Sequence, residues 1–199
     1  MSTTLPGSLD EALRLERAGQ RHKMLTFWGH RPARPGLVDQ ACLSQWWPAA
    51  FEVDGQRFRT AEHFMMAHKA WLFDDPSTAS RILEARSPAQ AKDLGRRVAR
   101  FDDAVWVEHR HGIVRQASLA KFGAHADLAA YLLGTRDRVL VEASPVDRVW
   151  GVGLASDDER IDTPSRWRGL NLLGFALMEA RGVLAAGGAD RRGDSPPQR

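Results

Sequence analysis

Thr60-Ala61-Glu62-His63-Phe64-Met65-Met66-Ala67-His68-Lys69 reads as the cap and body of one buried helix, carrying an acid and an amine on a single stripe. Threonine is a good N-cap, and Ala61 to Phe73 contains neither glycine nor proline before Asp74-Asp75-Pro76 ends the run. At 100° per residue, Glu62 and Lys69 project from one face at roughly 10 Å axial separation, with Met65 and Met66 on the flanks. A carboxylate and an ammonium among apolar side chains need partners or a task, because an unpaired buried charge is costly. Stabilising surface pairs sit three or four positions apart, so this longer spacing leaves a gap that a small ligand or a third side chain can fill. Spacing alone nevertheless leaves a solvated helix face as the commoner outcome.

Working outward, Phe51-Glu52-Val53 and Arg57-Phe58-Arg59 alternate apolar with polar around Asp54-Gly55, which predicts a short β-hairpin feeding the helix. Before it, Leu43-Ser44-Gln45-Trp46-Trp47-Pro48 is an irregular, aromatic core edge stopped by proline. His30 to Leu37 forms a basic loop, Leu25-Thr26-Phe27-Trp28 is the first core segment, and Ser8-Leu9-Asp10-Glu11 opens a loosely docked N-terminal helix. Downstream, helices are expected over 77–86, from Ser87-Pro88, from Asp102 or Asp103 to Phe122, and from His125 to Leu133. Gly95, expected inside one of them, signals close approach by a backbone or ligand, with Arg96 beside it. Val139-Leu140-Val141 reads as a strand entering an acidic, aromatic, glycine-rich loop, and 155–168 as a long surface loop and candidate lid. Asn171 to Leu184 makes a last helix. The expected class is mainly α: an N-terminal arm over 1–24, a single multihelical domain over 25–184 with a short β-hairpin and one or two short strands, and a disordered tail over 185–199.

Composition sets the bounds. The 199 residues, 43% hydrophobic and 27% charged, suffice for one compact domain and argue against wholesale disorder. No apolar run approaches a bilayer span and the N-terminus lacks a secretory pattern, so a cytoplasmic protein without membrane contact is expected. A single cysteine, Cys42, excludes an internal disulfide and a multi-cysteine zinc site. The histidine spacings converge on no helix face, so neither a metal nor a cofactor is expected. A net charge of +3 is a mild bias that suits phosphate-bearing ligands without identifying a nucleic-acid binder. Asp147, between Pro145 and Trp150, reads equally as a turn former and as a pocket residue. Trp106 and Trp150 are more often core than stacking platforms, although a flat base would use such surfaces.

Taken in order, Phe27-Trp28, Leu43-Ser44-Gln45-Trp46, Thr60-Ala61-Glu62-His63-Phe64 with Lys69, Gly95-Arg96, Trp106, Lys121-Phe122, Leu140 to Asp147, Trp150-Gly151-Val152-Gly153 and Asn171-Leu172-Leu173-Gly174 resemble the YbiA-like or NADAR family. The departures at Met65, Met66 and His68 bear on substrate preference. The resemblance implies hydrolysis of an N-glycosidic bond at C1′ of a phosphorylated ribose, on riboflavin-pathway ribosylamino-pyrimidine phosphates as metabolite damage control. The alternatives are removal of ADP-ribose from modified guanine in DNA or RNA, which the family also includes, and a non-catalytic module binding ADP-ribose or NAD-derived ligands in the same pocket. It implies Glu62 as the carboxylate that stabilises the oxocarbenium and orients water, and Asp147 as its partner acid or base. Lys69 would either pair with phosphate or attack a ring-opened sugar. Trp106 and Trp150 would stack, Arg96 and Lys121 would hold phosphate, and Phe27, Trp28, Gly151 and Asn171 would complete the substrate contacts. The implied partner is a small phosphorylated ribosyl substrate or ADP-ribosylated nucleic acid; oligomeric state stays open.

Overall fold

Ser8 accepts a hydrogen bond from the Glu11 N–H and so opens α1 (Leu9–Arg17). In the structure, a computed structural model that describes residues 4–193, this helix is docked rather than loose. Ala12 is buried, and Glu16 accepts from both the N–H and the hydroxyl of Ser165. That contact also seats the segment expected as a candidate lid. Residues 155–168 fold back against α1 through the 3-10 turn Pro164–Arg166, with the Trp167 indole donating to the Ile161 carbonyl at 2.7 Å.

The chain then forms β1 (Met24–Phe27), a 3-10 turn at Gln40–Leu43, and the hairpin β2 (Phe51–Val53) and β3 (Gln56–Phe58). Asp54 and Gly55 turn the hairpin with φ of 51° and 76°, the left-handed pair that a tight two-residue turn requires. From it α2 (Ala61–Leu72) departs. Its cap is a closed circuit: the His63 N–H donates to the Thr60 hydroxyl, which bonds His63 Nδ1 at 2.8 Å, while Nε2 bonds the Ala85 carbonyl at 3.1 Å. Burial lowers the His63 pKa and keeps the ring neutral, as that circuit needs. The stripe is therefore not a solvated face, since Ala61 through Ala67 are all buried.

Against α2 pack α3 (Pro76–Glu84), α4 (Pro88–Gly95) and α5 (Asp103–Ala124). Gly95 is the last residue of α4 rather than a mid-helix position; it lines the cavity described below, and its close protein neighbour is a side chain rather than a backbone. A Cβ there would lie 2.1 Å from Met66 Sδ. After α6 (Ala126–Gly134), β4 (Val139–Glu142) pairs in parallel with β1, Met24 opposite Val139 and Phe27 opposite Glu142. The crossover between them contains every helix from α2 to α6. The last helix, α7 (Leu172–Gly193), lies along α5 and β4.

That helix continues past Leu184 to Gly193, since no proline interrupts it, and so takes in the first part of the expected tail; residues 194–199 lie outside the described residues. Glu179 accepts from His111 Nε2 at 2.8 Å and Arg115 Nε at 3.0 Å, and buried Arg181 donates to Thr135 Oγ1 and the Arg138 carbonyl, fastening α7 to its neighbours. With seven α-helices and four short strands among the described residues, the fold is mainly α. None of those helices is long and apolar enough to cross a membrane.

Candidate active site

The first turn of α2, the end of β4 and the loop after it converge on one cavity of about 160 Å³. Glu62 enters from α2, Glu142 from the last residue of β4 and Asp147 from the following loop. Opposite them stand Lys69 from the end of α2 and Lys92 and Arg96 from the end of α4, with Trp46, Trp106 and Trp150 as walls.

Glu62 is 2% exposed, and its Oε1 has no hydrogen-bond partner. Burial raises its carboxyl to about 7, opposed by the Lys92 charge and the Trp46 indole and reinforced by Asp147. Its N–H donates to the Gln45 carbonyl at 3.1 Å, which draws the Ser44–Trp46 segment beneath the helix N-terminus. Glu142 is the second such group: its Oε2 is buried and unpartnered, and burial together with the Asp147 and Glu62 charges raises it to about 8. Asp147 is both turn former and wall. Its Oδ1 accepts from the N–H groups of Val149 at 2.9 Å and Trp150 at 2.8 Å, so the loop's shape holds the carboxylate in place. Lys69 donates to the Gly95 carbonyl at 3.0 Å and sits 4.1 Å from the Phe101 ring centre and 5.5 Å from that of Trp106. Desolvation among these rings lowers its pKa, with Asp103 opposing.

Residues 26–185, which carry the parallel strand pair and the cavity at its end, match the NADAR domain. The chain belongs to the NADAR family. An N-glycosidase of Acanthamoeba polyphaga mimivirus is 40% identical to it over 144 residues, 70% of this chain and 85% of that one. The N-glycosidase YbiA of Escherichia coli (strain K12) is 34% identical over 139 residues, 70% of this chain and 77% of its own. The NMR structure of Escherichia coli YbiA matches with a TM-score of 0.67 at 27% identity, covering 90% of this chain and 93% of that one.

Within this NADAR domain, Glu62, Lys69, Arg96, Trp106, Asp147 and Trp150 line the cavity together. The remaining predicted contacts do not line it. Lys121 is 1% exposed, and its ammonium is occupied by the carbonyls of Cys42 at 2.6 Å and Ser44 at 2.8 Å. Burial pushes it down to about 7, so in place of gripping phosphate it ties α5 to the segment under Glu62. Phe27 is core, and Trp28 is 63% exposed outside the cavity. Gly151 lies behind the acids: a Cβ there would meet the Glu142 carbonyl at 2.7 Å, and no side chain fits. Asn171 braces the strand, its Oδ1 accepting from the Glu142 N–H at 3.0 Å and its Nδ2 donating to the Leu140 carbonyl at 2.9 Å.

Three cavity residues were assigned no role from the NADAR sequence: Glu142, Lys92 and Trp46. Glu142 carried a signal, an acid closing the β-branched run Val139–Val141 a few residues before Asp147. Lys92 carried a weaker one, lying one helical turn before Arg96 on the same helix. Trp46 read as core edge and closed the Leu43–Trp46 motif without a role of its own.

Proposed function

We propose that this NADAR protein hydrolyses the N-glycosidic bond between a base and a phosphorylated ribose, with riboflavin-pathway ribosylamino-pyrimidine phosphates as its substrates. The reaction class is that of its relatives: the protein is an N-glycosidase, a hydrolase acting on N-glycosyl compounds. One observation carries the substrate reading. Two buried carboxyls with unpartnered oxygens, three cations and three tryptophans share a single small cavity.

Cleavage at C1′ builds positive charge on the ribose and negative charge on the departing base. Glu62 supplies the negative charge. It lies in the first turn of α2, where the helix N-terminus favours an ionised carboxyl, and so stabilises the oxocarbenium and orients the attacking water. Lys92 and Arg96 suit the phosphate, while Lys69, with no acid as hydrogen-bond partner, suits either phosphate or a ring-opened aldehyde. The tryptophans offer faces for the base. About 160 Å³ accommodates the reacting ribosyl unit rather than a polymer, which supports a free nucleotide. Exposed Arg96 and Arg97 at the end of α4 favour the second reading, removal of ADP-ribose from modified guanine in DNA or RNA.

A paired assay decides between them: ribosylamino-pyrimidine phosphate against ADP-ribosylated guanine DNA, read as released base or sugar phosphate. Turnover at least tenfold faster on the free nucleotide is expected, and the reverse preference moves the assignment to nucleic acid. Glu62→Gln is expected to lower kcat by at least a hundredfold with folding intact. A variant within tenfold of wild type removes Glu62 from the chemistry.

A further inference from the structure

The departing base needs a proton, and both Glu142 and Asp147 face the cavity. We infer that Glu142 is the general acid that delivers it; this rests on the N-glycosidase reading above. Three geometric facts separate the two carboxyls. Oδ1 of Asp147 already accepts two backbone N–H bonds, an arrangement that suits the anion and fixes the group as part of the loop. Glu142 has a buried Oε2 with no partner on the protein, so a proton there is not committed elsewhere. Its backbone is held on both sides, the N–H by Asn171 and the carbonyl by the Val152 N–H at 3.0 Å, which fixes the position from which its side chain reaches the cavity.

The charges around the cavity divide the work in the same direction. Glu62 has the helix N-terminus, Lys92, Arg96 and the Trp46 indole to favour its anion. Glu142, raised by burial, also feels the negative Asp147 and Glu62, with Lys92 opposing them, and so holds its proton to higher pH than Glu62 does. In the step itself the C1′–N bond breaks and its electron pair goes to the base nitrogen, which takes the proton from Glu142 and leaves a carboxylate. Water adds its oxygen to C1′ and gives a proton to Glu62. Passage of that proton from Glu62 back to Glu142 through solvent restores both groups, and the net change is addition of water across the bond.

The experiment compares Glu142→Gln and Glu62→Gln on two probes: a ribosylamino-pyrimidine phosphate, whose leaving group must be protonated, and p-nitrophenyl ribofuranoside 5-phosphate, whose leaving group departs as a stable anion. Glu142→Gln is expected to lose at least a hundredfold in kcat on the first and less than tenfold on the second, while Glu62→Gln loses on both. The alkaline limb of the wild-type kcat/KM profile on the ribosylamino-pyrimidine phosphate, set by Glu142 among Glu62, Asp147, Lys92, Arg96 and Lys69, should be lost in Glu142→Gln and be absent already in wild type on the p-nitrophenyl probe. Equal losses of Glu142→Gln on both probes, or a loss under tenfold on the natural type, overturn the assignment while the N-glycosidase reading stands. A wild-type protein that cleaves neither the ribosylamino-pyrimidine phosphate nor ADP-ribosylated guanine DNA would bring down both together. Melting temperatures of the variants separate misfolding from chemistry, and if Glu142→Gln does not fold, Glu142→Asp, which retains the acid on a shorter arm, should keep the alkaline limb.

Discussion

Glu62 and Glu142 are stability problems as well as candidate catalysts. A carboxyl whose folded-state pKa is raised binds its proton more tightly in the folded chain than in the unfolded one. Its contribution to stability is fully present below the ordinary value of 4.5. It is then lost as pH rises, until the folded group ionises at about 7 for Glu62 and about 8 for Glu142. Glu142→Gln removes one such liability while keeping the shape. Its melting temperature should match that of the wild type near pH 4.5 and exceed it at pH 9, by a difference on the order of a few kcal/mol, several degrees for a domain of this size. A variant that melts below the wild type at pH 9 would show that the charged carboxylate is better accommodated than its surroundings suggest. Such instability is common in sites built for chemistry, where binding charge development matters more than resting comfort.

At the scale of elements, the site depends on how closely α7 approaches β4. Gly174 sits where a Cβ would come within 2.1 Å of the Leu140 carbonyl, backbone that cannot swing aside, and within 2.5 Å of the Asn171 amide that bonds that carbonyl. Gly174→Ala should therefore push the helix off the strand, loosen the Asn171 brace on the Glu142 N–H, and cost about 3 kcal/mol, at the upper end of overpacking effects. Chemical denaturation reads the loss, and activity should fall with it because Glu142 is displaced. The contrasting case is Gly95, where the nearest atom is the far end of the flexible Met66 side chain. A midpoint for Gly174→Ala equal to that of wild type would mean that α7 yields freely. Sequence reasoning placed α2, its cap and the β2–β3 hairpin because their signals are local: a capping threonine, a run free of breakers, and Asp54-Gly55. It did not pair β1 with β4, whose partners are separated by the whole run of helices from α2 to α6.

Across the whole molecule, α1 lies upstream of the residues that match the NADAR domain, yet it shares the same core through Ala12 and latches the 155–168 segment through Glu16. Neither that segment nor α1 supplies a residue to the cavity. Removing residues 1–19 should thus lower the melting temperature by several degrees, roughly 1–3 kcal/mol for lost apolar burial and hydrogen bonds, and leave kcat within threefold at a temperature where the domain is folded. A loss of kcat without a change in melting would place the arm in the reaction.

By itself the sequence determined the mainly α class, the α2 stripe with Glu62 and Lys69, and the hairpin that introduces it, since each follows from periodicity and capping within a few residues. It also supplied the ordered motifs that placed the chain in its family. Only the tertiary structure decided which polar residues share a cavity. Lys121 and Lys69 are both lysines near aromatic residues on helices, but one closes on carbonyls of the 42–44 segment and the other faces the cavity. Glu142 looked like the end of a strand until the parallel pairing with β1 and the brace from Asn171 set it in one cavity with Glu62. A side chain's charge and partners depend on what the rest of the chain packs around it, and that burial is not written at any one position.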